Sequence, residues 1–344
     1  SREAVAAKGR ILSSIFLGGG TPSLFSPQEI DQLLNGVRAL FSMTDDVEIT
    51  MEANPGTVEC GSPAGYRQAG VTRLSIGAQS FDDALLTALG RIHSSDDIAR
   101  AYRKAVLGGF DNINLDLMHG LPGQTIELAM ADLNAAIALD PAHISWYQLT
   151  LEPNTIFHAR PPANLPDDDL AFEIQDCGQE LLAAAGYRQY EVSAYARDGR
   201  HCRHNLNYWQ FGDYLAVGAG AHGKLTSSGG VQRYQKPANP LMYMQAQEAG
   251  EPAARPTTLT DRDLIFEFML NALRLNEGFD EVTFVGRTGL STHRLMDATR
   301  RAREKGLIER GATGIWKPTE LGGRFLNDLQ LEFIESGAST GTHQ

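Results

Sequence analysis

IFLGGGTPSLF, residues 15–25, decides how the rest of the chain is read. A short apolar run enters three glycines, and Thr21-Pro22 follow. Glycine loses more backbone freedom on folding than any other residue, so three in a row need a reason. Either the turn demands unusual backbone angles or a partner must come close to the main chain. Immediately afterwards, Ser26-Pro27-Gln28-Glu29 reads as a capping box with Pro at the first helical position. Ile30, Leu33, Leu34, Val37, Leu40 and Phe41 then keep a helical stripe. Strand, glycine turn and helix thus form one βα unit.

The same alternation extends outward from this unit. SSIFLG (13–18), VEITME (47–52), TRLSIG (72–77), NINLDLM (112–118), HISWYQLT (143–150), QYEVSAY (189–195) and YLAVGAG (214–220) have the Val, Ile, Leu, Tyr and Thr content of strands. Ser94 and Asp97 mark another helix start, and Gly108-Gly109 its stop. ECGSPAGYRQAG (59–70) is rich in Gly and Pro and predicts only a weak or short helix. Leu170, Ile174, Cys177 and Leu181 share one helix face, which makes Cys177 a core residue. Strands alternating with helices predict parallel βαβ units, in a doubly wound sheet or a β/α barrel.

Near residue 226 the character changes. TSSGGVQRYQKPANP reads as a hairpin or linker. From Thr260 the pattern is helical again, with a Thr260/Asp263 box opening TDRDLIFEFMLNALRL. STHRLMDATRRAREKGLIERG and ATGIWKPTELG follow, an order that resembles a winged helix. Seven basic residues lie between Arg287 and Arg310, which makes nucleic-acid docking one reading. The plainer reading is a solvated helix face with Leu295, Met296 and Ala298 turned inward. The expected domains are 1–225, a linker or hairpin at 226–255, and a mostly helical 256–344.

Composition sets outer limits. The chain has 344 residues, 42 acidic against 30 basic, and a net charge of -12. That balance argues against generic nucleic-acid binding, which rests on cationic contacts to phosphate. No apolar run is long enough to span a bilayer. SREAVAAKGR lacks the apolar core of a signal peptide, so a cytoplasmic location is expected. Cys60, Cys177 and Cys202 are few, odd in number and widely spaced, which fits a reducing compartment without disulfides. Cys60 reads as incidental.

In a β/α barrel, functional groups gather where strands end. The first predicted strand ends in Gly18-Gly19-Gly20-Thr21, the second in Glu52, the third in Gln79, and the fourth holds Asp116. Arg91 follows a short helix that starts near Phe81. The Lys-Ser/Thr of a phosphate loop is missing, and so is the GxGxxG spacing. Glycine-freed backbone can meet both an ammonium and a carboxylate. An acid can pair with an ammonium or a ribose diol, and Arg can hold a carboxylate in a fork. The set suits a zwitterionic amino-acid nucleoside; each polar residue also has an ordinary reading as a cap or loop anchor.

GGGTPSLF, EANPGTV, RLSIGAQSF, LGRIH, NLDLMHGLPGQT and SWYQLTLEPNT, in this order, resemble the radical S-adenosylmethionine family. Within it the similarity is to the branch around oxygen-independent coproporphyrinogen III oxidase, and most closely to its heme chaperones. The resemblance runs from about Ser14 to about Phe333. It implies a partial (β/α)6 barrel, TIM-like and open on one side, with a small winged-helix-like C-terminal domain. It implies S-adenosylmethionine across the strand ends, with Gly19, Gly20 and Thr21 along its methionine part and Glu52, Gln79, Arg91 and Asp116 completing the pocket. The family holds a [4Fe–4S] cluster on a Cys-x-x-x-Cys-x-x-Cys loop after its first strand. This sequence has no such loop, and its first strand corresponds to the family's second. The expectation is that the cluster segment lies upstream of Ser1, as the non-Met start suggests, and that the chain as written is inactive in radical chemistry.

HCRHNLNYWQFGDY, residues 201–214, bears on what else is bound. His204-Asn205-Leu206-Asn207-Tyr208-Trp209 resembles the HNxxYW motif of the heme chaperones, which implies heme as cargo and hemoproteins as recipients. Neutral imidazole ligates heme iron, and aromatic rings pack on a flat macrocycle. His204 is the candidate ligand, Tyr208 and Trp209 the packing surface, and Cys202 an alternative thiolate. The ordinary reading is that both rings are barrel-edge packing and that His204 is a satisfied polar residue. The alternatives are an oxidase that decarboxylates a porphyrinogen and, from another class, a C-terminal module docking nucleic acid or protein.

Overall fold

The computed structural model describes residues 2–7, 9–57, 62–153, 155–250 and 256–335. They divide into two compact units, Ile11–His204 and Ser1–Arg10 with Asn205–Gln344.

In the first unit, β1 (Ile11–Leu17), β2 (Ser42–Ala53), β3 (Arg73–Gln79), β4 (Ile113–His119) and β5 (His143–Gln148) pair in parallel, each with its sequence neighbour. The helices Pro27–Leu40, Pro63–Ala69, Ser95–Leu107 and Ile126–Ala138 connect them. The seven-stranded sheet ends in a hairpin of β6 (Arg188–Glu191) and β7 (Ala194–Ala196), in the order β1-β2-β3-β4-β5-β7-β6. The fold is therefore a half-barrel of mostly parallel strands with helices between them.

Strand alternation decides which side carries the core. Ile49, Met51, Leu74, Ile76, Ile113, Leu115, Leu117, Ile144 and Trp146 are all buried in one apolar cluster with Ile30, Leu34, Ile98, Leu133 and Ile174 of the helices. The residues between them point the other way: Glu48, Thr50 and Glu52; Arg73 and Ser75; Asn114 and Asp116; His143, Ser145 and Tyr147. Parallel sheets covered on both faces normally read as continuous apolar runs. Here one face is polar on four consecutive strands.

The predicted helix starts match the observed ones. Ser26 and Glu29 form both halves of the capping box, as do Ser94 and Asp97. Residues 59–61 of the weak-helix segment lie outside the described residues, as does Cys60; the remainder forms the seven-residue helix Pro63–Ala69, closed by Gly70 at φ 110°. Two strand expectations need correction. QYEVSAY is not one strand but the antiparallel β6–β7 hairpin, turned at Val192-Ser193. YLAVGAG forms no strand: Tyr214 makes one isolated bridge to Lys224. Gly218 and Gly220 sit at φ 107° and 73°, outside strand geometry, and the N–H groups of Ala216 and Gly218 donate to the hydroxyls of Tyr234 and Tyr243.

In the second unit, TSSGGVQ is the turn of a hairpin, β8 (His222–Ser227) with β9 (Gly230–Gln235), joined by β10 (Thr257–Thr258). A second small sheet, β11 (Phe279–Asp280), β12 (Ile308–Arg310) and β13 (Ile315–Pro318), has β13 at its centre. Helices Asp261–Ala272, Glu281–Thr288, Thr292–Ala298 and Leu326–Glu335 surround it. Phe268 anchors this core, meeting Phe279 and Phe284 edge-on at 4.9 and 5.1 Å. Leu295 and Ala298 are buried, while Met296 is 37% exposed. Lys224, only 1% exposed, donates to the Phe211 carbonyl and pairs with Asp213 at 3.1 Å, so its charge is answered inside the unit. Among the described residues, no helix is long and apolar enough to cross a membrane.

Candidate functional site

The glycine run leaves β1 directly above the polar face. Gly19 and Gly20 take φ 79° and 62°, the left-handed region that glycine enters without steric cost. Gly18 answers a different need: a Cβ there would lie 2.4 Å from the Phe16 ring and 3.1 Å from the Glu52 carboxyl carbon. Behind this turn the Gly19 N–H donates to Glu52 Oε2 at 3.0 Å. Glu52 therefore faces the turn from the end of β2. Burial raises its pKa, and the nearby Asp116 charge adds to that, against the Gly19 hydrogen bond. Thr21 is half-buried and opens the short 3-10 turn Pro22–Leu24 without capping it through its side chain.

Asp116, in the middle of β4, accepts from Ser75 Oγ and Asn114 Nδ2, both at 2.8 Å. Burial raises its pKa, while these bonds and the Arg73 charge oppose the rise. The network continues across the polar face. Asn114 Oδ1 meets His143 Nδ1 at 2.6 Å, and His143 Nε2 meets the Tyr190 hydroxyl at 2.8 Å.

Gln79 ends β3 at φ 69°, a conformation that costs a non-glycine residue roughly 1–2 kcal/mol. The β3–β4 register shifts between Ile76 and Gln79, so the strand end is bulged. Gln79 is 5% exposed, and its Oε1 accepts from the Tyr147 hydroxyl at 3.1 Å. Tyr147 was not singled out by sequence reading. Its pKa is pushed up to about 12, first by burial and then by Asp116, while Arg91 and Gln79 pull it down and Glu52 pushes it up again. Four of the predicted site residues thus act on this one hydroxyl. The signal was present in the sequence, since Tyr147 shares its face of β5 with His143 and Ser145. Arg91 is exposed, three residues past helix Asp83–Ala88, with its backbone N–H on the Leu86 carbonyl. Beside this rim, a cleft of about 200 Å³ lies between Pro55-Gly56 and helix Ser95–Leu107, lined by Ile92, His93, Arg100 and Lys104. It does not include the glycine run.

His204 packs in the same unit. Its ring stacks on Phe16 at 4.4 Å, the same ring that Gly18 leaves room for. Its backbone N–H donates to Glu48 Oε1 at 3.1 Å. Burial lowers its pKa to about 4, so the imidazole is neutral at pH 7. Tyr208 and Trp209 belong to the second unit. There Tyr208 packs on Tyr214 at 4.4 Å, and the Arg274 guanidinium lies 4.3 Å above the Trp209 ring. Cys202 is 1% exposed, with its Sγ donating to Glu48 Oε1 at 3.5 Å, which corrects its reading as an available thiolate. Cys177 is half-buried in helix Asp168–Ala184.

Among the described residues, no three His, Cys, Asp or Glu side chains are grouped to hold a metal ion. The cysteines at 60, 177 and 202 do not have cluster spacing, so the residues present do not fit a [4Fe–4S] cluster. They do fit a zwitterionic nucleoside: a left-handed glycine turn with open space beside Gly19 and Gly20, a carboxylate behind it, and polar groups on three more strands.

Comparison with known proteins agrees with this architecture. The Radical SAM superfamily profile matches residues 2–134, and the HemN C-terminal domain profile matches residues 259–325. The chain is 48% identical over 329 residues to "Heme chaperone HemW" of Escherichia coli (strain K12), covering 95% of this chain and 85% of that protein. It is 33% identical over 331 residues to the protein of the same name from Bacillus subtilis (strain 168), covering 92% and 86%. Coproporphyrinogen III oxidase (HemN) from Escherichia coli shares the fold, with a TM-score of 0.77 at 23% identity over 96% of this chain and 80% of that one. A polar-faced half-barrel, a glycine rim after its first strand and 33–48% identity over more than four fifths of the two heme chaperones lead to one assignment: the chain belongs to the HemW family of radical SAM proteins.

Proposed function

We propose that the chain binds S-adenosylmethionine at the glycine rim and heme through His204, and that it serves as a heme chaperone delivering heme to hemoproteins. One observation carries the first part: the left-handed Gly19-Gly20 turn with the Glu52 carboxylate bonded to its backbone. Bound there, the cofactor brings a sulfonium and a methionine end with both an ammonium and a carboxylate. Backbone N–H groups and Arg91 are partners for the carboxylate, and Glu52 is one for the ammonium. Gln79, Tyr147 and Asp116 offer hydrogen bonds to the nucleoside.

The cargo reading rests on His204 and on the names of the relatives. A neutral imidazole at the edge of the polar face is a competent iron ligand, and its stacking on Phe16 fixes the ring. Tyr208 and Trp209 support it less, because Tyr214 and Arg274 already occupy their faces. The test is a hemin titration followed at the Soret band, in the wild-type chain and in His204→Ala. A weaker, blue-shifted complex in the variant is expected; equal affinity and an identical spectrum would remove His204 as the ligand.

A further inference from the structure

We propose that Asp132, on helix Ile126–Ala138, is the positioning residue that holds Gln79 in its left-handed conformation and thereby sets the affinity of the rim for S-adenosylmethionine. The proposal rests on the cofactor reading given above and adds a residue that the strand-end pattern does not reach.

Asp132 is 2% exposed on a helix whose neighbouring buried residues, Ala129, Leu133 and Ala136, are apolar. A carboxylate in such a place needs donors, and all of those it finds belong to the strand-end loops. Ser80 Oγ donates to both of its oxygens, at 3.0 and 2.8 Å, and the Phe81 N–H donates to Oδ1 at 2.6 Å. Gln124 Nε2 approaches Oδ2 at 3.5 Å, while Gln124 Oε1 accepts from the Leu121 N–H at 3.2 Å. One side chain therefore fastens the loop after β3 to the loop after β4.

The placement of these bonds matters more than their number. Ser80 and Phe81 are the two residues directly after Gln79, where the strand is bulged and the backbone left-handed. A non-glycine residue stays in that region only when its surroundings over-determine it. Upstream, Gln79 is held by the sheet. On its own side chain it is held by Tyr147. Downstream, Asp132 supplies the fixed point. Ser80 Oγ also accepts from the Asp82 N–H at 3.0 Å, and Asp82 caps helix Asp83–Ala88, which leads to Arg91. Without the carboxylate, Gln79 relaxes toward ordinary angles. Its amide then leaves the rim, and apparent affinity falls with the fraction of molecules still competent.

Equilibrium dialysis with labelled S-adenosylmethionine at pH 7.5 tests this in four chains: wild type, Asp132→Ala, Gln79→Ala and the double variant. Hemin affinity, read at the Soret band, serves as the control for the fold. Asp132→Ala should weaken the cofactor about tenfold with hemin binding unchanged, and the loss should vanish in the Gln79→Ala background. Asp132→Asn, which keeps an acceptor for the Phe81 N–H, should recover most of the affinity. If the alanine chain does not fold, Ser80→Ala, which removes the hydroxyl that bonds both Asp132 oxygens, replaces it and should weaken the cofactor in the same Gln79-dependent way. Wild-type chain that binds no S-adenosylmethionine would overturn the cofactor reading itself. Binding in the wild type with equal affinity in Asp132→Ala, or an equal loss with and without the Gln79 side chain, would overturn the role of Asp132.

Discussion

Gly178 shows how a single hydrogen atom can be the fitted part. It lies on the buried face of helix Asp168–Ala184, and a Cβ there would sit 1.9 Å from the Trp146 ring. The indole on β5 thus fills the space that any other residue would need. Alanine is favoured over glycine in a helix interior by about 1 kcal/mol. Overpacking a core costs about 1–3 kcal/mol, and a contact this short falls at the upper end. Gly178→Ala should therefore lose net stability, with the loss reduced in a Trp146→Phe background because the smaller ring gives way. Urea unfolding measures both; an unchanged or raised midpoint in the single variant would refute the packing account. Tyr147 carries a different lesson at this scale. Sequence reasoning stopped at residues that terminate strands, and Tyr147 lies one residue short of the end of β5. Only the parity of the strand places it with His143 and Ser145, and only the fold brings it to Gln79.

At the scale of elements, the parallel strands were legible because each carries its own alternation and each is followed by a capped helix. VEITME and NINLDLM read correctly as strands, and their alternating polar positions form the polar face of the sheet. QYEVSAY read wrongly because β-branched and aromatic content does not report a two-residue turn inside a run. YLAVGAG failed because its amides are satisfied by tyrosine hydroxyls from residues far along the chain, which composition cannot show. Helix Arg203–Trp209 has its own long-range dependence. Its first amides, from Arg203 and His204, donate to Glu48 at 3.0 and 3.1 Å, and Cys202 Sγ adds a third donor. A carboxylate on β2 thus does the work that a local N-cap side chain does elsewhere. Glu48→Ala should cost about 2–3 kcal/mol, since it orphans buried donors, and Glu48→Gln clearly less, since an acceptor remains. If His204 ligates heme, Glu48→Ala should also weaken hemin binding toward the level of His204→Ala. Denaturation and the Soret titration check the two halves separately, and an alanine variant as stable as wild type would remove the capping role.

For the molecule as a whole, buried titratable groups on both sides of the sheet set the response to acid, and they pull in opposite directions. Burial lowers His119 and His204 to about 4 and puts His143 well below its ordinary value. A histidine depressed in the fold binds its proton more readily when unfolded, so its stabilising effect is complete above about pH 6.5 and is lost as pH falls toward 4. Asp132 behaves inversely. Its pKa is raised to about 6, chiefly by burial, so the folded state holds the proton more tightly. Its contribution is present below about pH 4 and is lost as pH rises through 6. Glu52 and Asp116 are raised as well and act in the same sense as Asp132. His119 and Asp132 are 4% and 2% exposed, so solvent screening does not discount either. Each is worth on the order of 3 kcal/mol across its window, and the two nearly offset between pH 4 and 6. The wild-type chain should then lose stability only gently on acidification over that range. His119→Phe, which keeps a ring against Trp146 but cannot take a proton, should flatten the curve or reverse its slope. Asp132→Asn should steepen the acid loss, because the compensating carboxyl is gone while the histidines remain. Urea midpoints at pH 7, 5.5 and 4.5 for the three chains would measure this, and curves that stay parallel would show that these buried groups do not govern the acid response.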